Sequence, residues 1–296
     1  MAETKKRRRR LGDRREGRKL RTIDPLIKFM PYIMPKRCDA LNYFEDRFDI
    51  SEAEKLCREE VKKGNRNFSL LHVFIASYVR MVSQRPAVNR FVSGQKIYAR
   101  NQIEVMMTVK KKMALDGEET CIKVYFEPTD TIEDVYRKFN ETVTEAVDNG
   151  EDKSSFEKVN KILSLIPGLL CRWTVSFLNF LDYFGLLPRF LTKLSPFHAS
   201  FAVTSMGSLG IRPIYHHIYN FGNIPVFLAY GSIQRENVLA DDGSVKKNKY
   251  IELKAVTDER ICDGFYYASS FKLMKKLFEN PYSLYEKPEP VIEDID

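Results

Sequence analysis

The chain has 296 residues, of which 44% are hydrophobic and 30% are charged, and its formal net charge is +8. This length and apolar content are ample for one large core or two smaller ones. The five cysteines are scattered, odd in number and without Cys-x-x-Cys spacing, which argues against a disulfide framework or a metal site. We therefore expect reduced thiols and a cytoplasmic protein.

The net positive charge is carried by the first 21 residues, which contain eleven Lys/Arg and three Asp/Glu. No apolar stretch follows this basic run, so it is not a secretory signal. Few of its side chains could be buried, and residues 1–21 are predicted to form a disordered basic arm. The arm is either solvated or lies on a neighbouring subunit; binding to nucleic acid or to an anionic membrane surface is the weaker alternative.

The N-terminal half of the domain is predicted to begin as extended chain over the proline-marked residues 23–48. Ser51–Glu54 reads as a capping box that opens a helix. His72, inside a later helix, is more typical of a packing or surface residue than of a ligand. The predicted elements after residue 48 are helix 51–63, helix 69–83, strand 102–110, a hairpin turn at 116–117, strand 120–127 and helix 131–149.

Residues 159–194 form an unusually apolar segment. Its longest uncharged runs are too short to span a bilayer, and Pro167, Gly168 and Pro188 interrupt it. One interpretation is a helical hairpin that is buried at a subunit interface or over an active-site channel. The alternatives are an interfacial membrane contact, or the wall of a pocket for a long acyl chain.

The C-terminal part is predicted to contain three strands, a turn, a helix and a tail. These are strand 200–206, strand 225–233, a turn at 241–243, strand 249–257, helix 265–278 and a loose acidic tail over 286–296. Around the junction of the last strand and the last helix, Asp258, Glu259, Arg260 and Asp263 lie within six positions. A rigid scaffold holds side chains at such junctions while a ligand can still reach them.

This junction reads Asp258-Glu259-Arg260-Ile261-Cys262-Asp263-Gly264. It resembles the Asp-His-Arg-x-x-Asp-Gly motif of the acyltransferase catalytic domain of 2-oxoacid dehydrogenase complexes, in the chloramphenicol acetyltransferase-like superfamily. Glu259 stands where the family carries its histidine base. The segment Phe201–Gly210, FAVTSMGSLG, resembles a second family motif, in which Thr204 takes the place of the hydroxyl that stabilises the oxyanion.

The resemblance implies an α/β fold, a two-layer sandwich of the coenzyme A-dependent acyltransferase type with a mixed sheet, to which segment 159–194 is added. It implies a homotrimer whose sites take the base from one subunit and the hydroxyl from its neighbour. Coenzyme A is the implied substrate, with no metal, no nucleic-acid partner and no transmembrane span. The predicted domain covers residues 22–285, and with no lipoyl domain before it we expect a free-standing protein.

The implied catalytic residues are Glu259 as base, Thr204 as oxyanion donor and Asp263 as a structural aspartate paired with an N-terminal arginine. The implied substrate-binding residues are Ser205, Arg260, Gly264 and His217. His216 and His217 superficially match another superfamily motif, but Phe221 stands where that motif needs an aspartate. We read them as a loop near the channel.

A glutamate is a weak base for this reaction. Proton transfer from a thiol of pKa about 8.5 to a free carboxylate of pKa about 4.3 is uphill by about 6 kcal/mol, against about 3 kcal/mol for imidazole. Burial could close much of this gap. An ion pair of Glu259 with Arg260 or a lysine would instead leave a dead site. The sequence therefore predicts an acyltransferase with an altered base; the alternative is an inactive pseudoenzyme that binds acyl-CoA or serves as a scaffold.

Overall fold

The computed structural model describes residues 8–110, 119–148, 165–239, 242–288 and 290–296. Its strands and helices are, in chain order, β1 (Gly17–Lys19), α1 (Pro25–Ile33), β2 (Leu41–Asp49), α2 (Ser51–Lys62), α3 (Leu70–Gln84), β3 (Arg90–Ser93), β4 (Lys96–Arg100), β5 (Ile103–Lys110), β6 (Glu119–Phe126), α4 (Ile132–Asp148), α5 (Gly168–Phe184), α6 (Arg189–Leu194), β7 (Phe201–Ser205), β8 (Val226–Tyr230), β9 (Gln234–Leu239), β10 (Val245–Asp258) and α7 (Gly264–Glu279). The predicted turn at 116–117 and the start of the apolar segment, 159–164, lie outside the described residues.

The main sheet is mixed, which confirms the predicted fold class. Its strand order is β2-β10-β8-β7-β5-β6, with β9 paired to β10. Strand β7 runs parallel to β5 and to β8, while β10 runs antiparallel to β8 and β2. A smaller sheet has the order β1-β4-β3.

Helices α2, α3, α4 and α7 cover one face of the main sheet, and α3 lies at the centre of this layer, in contact with the other three. Every residue from His72 to Ser83 of α3 is buried. Alternate residues of the strands, such as Val203, Leu228 and Leu253, belong to the same core, as the period-two geometry of a strand requires. The residues between them therefore lie on the opposite face, away from the helices.

The N-terminal and C-terminal segments are ordered by contacts with the domain and with each other. The predictions of a disordered arm and a loose tail are therefore wrong for the residues that are described. Strand β1 pairs with β4, and Leu20 is buried. Asp294 forms a buried ion pair of 2.5 Å with Arg90, and the Asp296 carbonyl accepts a hydrogen bond of 3.0 Å from the Arg21 amide. Backbone pairing and opposite charges order these segments, although each alone is too polar to form a core.

Two further details of the N-terminal half differ from prediction. Residues 25–33, expected to be extended, form α1, because Asp24 caps the helix and Pro25 occupies its first turn, where proline is tolerated. The expected capping box at Ser51 is absent, since the N-cap of α2 is Ile50. A reciprocal capping box opens α3 instead, between Ser69 and His72.

His72 makes the stability of the fold sensitive to acid. It is buried among aromatic rings, and its Nδ1 lies 3.1 Å from the Ser69 amide, whose hydrogen bond it accepts. Burial lowers the pKa of His72 to about 4, whereas an unfolded histidine titrates near 6.5. The unfolded state therefore binds more protons between these values, and the free energy of unfolding should fall by up to about 3 kcal/mol as the pH drops from about 6.5 to about 4.

Urea titrations at neutral pH and near pH 4.5 would measure this loss. The variant His72→Gln is expected to be less sensitive to acid than the wild type, while His217→Gln, at an exposed histidine, should keep the wild-type difference. Equal pH dependence in wild type and His72→Gln would show that His72 does not cause it.

Helix α5 differs from the other long helices because none of its residues is buried in the described chain. It forms most of the described part of the apolar segment 159–194, for which burial at a subunit interface or over a channel was one expectation. No helix among the described residues combines the length and the apolar character needed to cross a membrane.

Candidate active site

Glu259 follows β10 directly, at the edge of the sheet where this strand ends. Its amide donates a hydrogen bond of 2.9 Å to the Ala40 carbonyl, which ties the turn to the residue before β2. The side chain is half-buried. Within the part of the chain that the structure describes, the Glu259 carboxylate has no hydrogen bond and no ion pair, so the pairing with Arg260 that would block a base is not formed.

The charged centre of this turn is Asp258, which is 1% exposed and lies between two buried arginines. Arg260 donates to both carboxylate oxygens, with Nε 2.8 Å from Oδ1 and Nη2 2.7 Å from Oδ2. Arg37 Nε donates to Oδ2 at 3.2 Å. Burial lowers the pKa of Arg37, and the Asp258 charge opposes that effect. The cluster is therefore one carboxylate that compensates two buried cations.

The remaining donors of the two arginines bind backbone carbonyls from two segments. Arg37 reaches the carbonyls of Tyr219 (2.6 Å) and Gly222 (2.9 Å), and Arg260 reaches Met34 (3.2 Å). Arg260, which was predicted to contact substrate, is thus only 3% exposed, and its guanidinium donates its hydrogen bonds to other groups of the protein. Its geometry suits a residue that positions the turn.

The second motif aspartate, Asp263, has a different role from the predicted ion pair. It is exposed, and its Oδ1 accepts a hydrogen bond of 2.7 Å from the Tyr266 amide as the N-cap of α7. An arginine near the N-terminus does pair with an aspartate of the motif. This arginine, Arg37, binds Asp258 and not Asp263. Gly264 begins α7, and a Cβ added there would meet no described atom within 4 Å. Packing within the described chain therefore does not require glycine at this position.

Thr204 and Ser205 lie at the end of β7. Phe201 and Val203 point into the core, so Ala202 and Thr204 lie on the face opposite the helices. Thr204 is partly exposed, and its hydroxyl has no hydrogen bond among the described residues. Ser205 faces Tyr230: burial raises the pKa of Tyr230 to about 12, and a hydrogen bond with Ser205 partly offsets this.

The strand directions place Thr204 and Glu259 far apart within one chain. Thr204 is level with Ala229 of β8, and Ala229 is level with Lys254 of β10. Glu259 lies five residues beyond Lys254 along β10, which corresponds to about 17 Å at about 3.3 Å per residue, and it is two strands away. One chain therefore cannot bring both side chains to the same reacting group.

The loop of residues 211–225 covers the helix-free face between these two positions. His216 stacks on Phe227 at 4.4 Å between ring centroids, and burial together with the neighbouring His217 lowers the pKa of His216. His217 is exposed and packs edge-on against Tyr219. Neither histidine lies at the Glu259 turn, although the Tyr219 carbonyl that anchors this loop binds Arg37.

A small cavity of about 10 Å³, room for about one water molecule, lies beneath this loop and is lined almost wholly by apolar groups apart from Arg37. Its lining residues are Arg37, Met106, Pro196, Phe197, Ile218, Tyr219, Phe221, Ile224 and Phe227. Its lining includes Arg37 of the Asp258 cluster as well as Met106 and Phe227 on the helix-free face. Among the described residues, no group of three or more His, Cys, Asp or Glu side chains is arranged to hold a metal ion.

Comparison with known proteins gives the class of this domain. Residues 196–286 match the family of 2-oxoacid dehydrogenases acyltransferase (catalytic domain). A comparison with curated protein sequences gave no significant match.

Three similar solved structures come from different organisms. A probable dihydrolipoamide acetyltransferase from Listeria monocytogenes is 17% identical, with 89% of this chain and 95% of that chain covered and a TM-score of 0.57. A dihydrolipoamide acetyltransferase from Azotobacter vinelandii is 13% identical, with 89% and 93% covered and a TM-score of 0.57. A truncated catalytic core of the 2-oxoacid dehydrogenase multienzyme complex from Thermoplasma acidophilum is 14% identical, with 88% and 98% covered and a TM-score of 0.53.

The chain thus has the α/β sandwich fold of coenzyme A-dependent acyltransferases. The resemblance read from Asp258–Gly264 and Phe201–Gly210 to the acyltransferase catalytic domain of 2-oxoacid dehydrogenases is confirmed, because both motifs fall inside the matched residues.

Proposed function

We propose that the protein transfers an acyl group between coenzyme A and a thiol or other acceptor. Glu259 takes the proton of the attacking thiol, and the thiolate attacks the carbonyl carbon of the thioester. The Thr204 hydroxyl donates a hydrogen bond to the oxyanion that forms. When the intermediate collapses, the second thiol leaves and recovers the proton from Glu259.

The observation that carries the proposal is the separation of Thr204 and Glu259 at opposite ends of the sheet. It requires Glu259 of one subunit to meet Thr204 of another, as a closed ring of identical subunits allows. We therefore propose a homotrimer. Exposed apolar side chains near both positions support such contacts, namely Leu209, Ile211 and Ile214 after Thr204 and Phe265 after Glu259.

The other residues have supporting roles in this proposal. Asp258, Arg37 and Arg260 fix the turn that presents Glu259, and Asp263 caps α7 behind it. Ser205, Gly264 and His217 remain proposed substrate contacts.

Mixing two inactive variants tests the shared site. Thr204→Val and Glu259→Gln should each lose transfer between acetyl-CoA and dihydrolipoamide. The two variants are then unfolded and refolded together in equal amounts. An intact site needs Glu259 from a Thr204→Val subunit and Thr204 from a Glu259→Gln subunit, so random assembly should restore about a quarter of the wild-type sites.

The control refolds each variant alone, which should give no recovery. A monomer at micromolar concentration in ultracentrifugation, or a mixture no more active than its components, would contradict a site built from two subunits. If both variants keep wild-type turnover, the residue assignments are wrong.

An acyl-CoA-binding or scaffold protein without turnover is the second candidate. It is favoured by the residue type at position 259, because a carboxylate is a weaker base toward a thiol than the imidazole of the family motif. Titration calorimetry separates the two: binding of coenzyme A and acetyl-CoA without turnover in the wild type supports a pseudoenzyme. Cytoplasmic location stays a prediction in both cases.

A further inference from the structure

Helix α5 carries a continuous apolar stripe on its solvent side. The stripe residues recur at alternating spacings of four and three, so they share one side of the helix. They are all exposed, at 56%, 71%, 59%, 56% and 52% for Leu170, Trp173, Phe177, Phe180 and Phe184. Leu186 (64%) and Phe190 (61%), which follow the helix, extend the same surface. Large apolar patches of this kind mark interaction sites.

The opposite side of α5 is the one that contacts the protein, and it does so mainly through polar groups at its C-terminal end. The Tyr183 carbonyl accepts a hydrogen bond of 2.6 Å from Arg14, and the Asp182 carbonyl accepts one of 3.2 Å from Ser93. The Asp182 carboxylate lies 3.5 Å from Nε2 of buried His198. The helix is therefore held in place with its apolar side outward, the reverse of a helix that packs on a core.

Within the described residues 165–194, the exposed charged side chains are all positive. Residues 165–194 contain Arg172, Arg189 and Lys193, all exposed, and one acid, Asp182, which is turned toward His198. The basic N-terminal segment lies at the same corner, where Arg14 packs against Gly185 and binds Tyr183. An apolar stripe with aromatic residues and a basic border has the composition of helices that lie in a membrane interface.

We propose that α5, with Leu186 and Phe190, binds the surface of an anionic membrane. The stripe would insert at the boundary between headgroups and acyl chains, while Arg172, Arg189, Lys193 and the basic N-terminal segment meet lipid phosphates. The one-sided charge distinguishes this occupant from a second copy of the helix, because two copies packed stripe to stripe would bring like charges together. The proposal does not depend on the acyltransferase reaction.

Trp173 is the only tryptophan of the chain and sits in the stripe, so its fluorescence reports binding directly. With the full-length protein, vesicles of phosphatidylcholine and phosphatidylglycerol in equal amounts should shift Trp173 emission to the blue. Lipids brominated on their acyl chains should quench it. Vesicles of phosphatidylcholine alone should bind at least about tenfold more weakly, and added salt should weaken binding to the mixed vesicles.

The double variant Phe177→Ser/Phe180→Ser keeps Trp173 and should lose binding in vesicle sedimentation, with unchanged circular dichroism and melting temperature. Leu239→Ser, at an exposed leucine (72%) of β9, is the matched control and should bind like the wild type. Unshifted emission at millimolar anionic lipid would overturn the proposal. A blue shift that grows with protein concentration without lipid, together with self-association in ultracentrifugation, would overturn it in favour of a second copy.

Discussion

Replacing Glu259 with histidine is expected to raise the rate of acyl transfer to a thiol by up to about 100-fold. The proton leaves a thiol of pKa about 8.5, and the gap to the acceptor narrows from about 4 units for a free carboxylate to about 2 for imidazole. The Glu259 side chain is half-buried and unpaired among the described residues, so an imidazole would break no described interaction. Histidine also stands at this place in the family motif that the segment resembles.

The measurement is the initial rate of coenzyme A release from acetyl-CoA with dihydrolipoamide, across pH, for wild type, Glu259→His and Glu259→Gln. In Glu259→His the rate should rise with pH around the imidazole pKa, near 6.5. Glu259→Gln should be the slowest, since an amide cannot take the proton. A wild type faster than Glu259→His would mean that the surroundings in the oligomer have tuned the carboxylate as base.

The C-terminal strand and helix of the site follow closely from the sequence. Strand 249–257 and helix 265–278 were predicted within a few residues of β10 and α7, because alternating apolar residues and an Asp-Gly junction are local signals. The separation of Thr204 and Glu259 was implied by the family resemblance. The strand registers show the same separation independently, because they place Glu259 about 17 Å along the sheet from the level of Thr204.

The N-terminal predictions failed where long-range contacts override composition. A basic arm looks disordered when read alone, but its β1 segment completes a sheet with β4, and it meets an acidic tail from the other end of the chain. The partner of Arg37 was equally hidden. Two aspartates, Asp258 and Asp263, lie in the same motif, and only the fold shows which one is buried.

Removing the Asp258 carboxylate is expected to have the largest effect on stability. Asp258→Ala would leave Arg37 and Arg260, both nearly inaccessible to solvent, without their counter-charge. Breaking a buried ion pair by deleting one partner typically costs about 3–5 kcal/mol, because the other charge stays buried and uncompensated. Urea unfolding at neutral pH would show this loss as a lower midpoint, and transfer activity should fall as the Glu259 turn loosens.

Asp263→Ala is the matched control, five residues further on in the same motif. Its side chain is exposed and caps α7 through the Tyr266 amide, so its removal should cost about 1 kcal/mol. The contrast between the two variants decides which aspartate holds the turn. If Asp263→Ala were the more destabilising, the structural role would belong to the aspartate of the Asp-Gly pair, as the family resemblance implies. A larger loss in Asp258→Ala would assign that role to Asp258, the residue between the two arginines. The ion pairs of Asp258 with Arg37 and Arg260 would then hold the turn that positions Glu259.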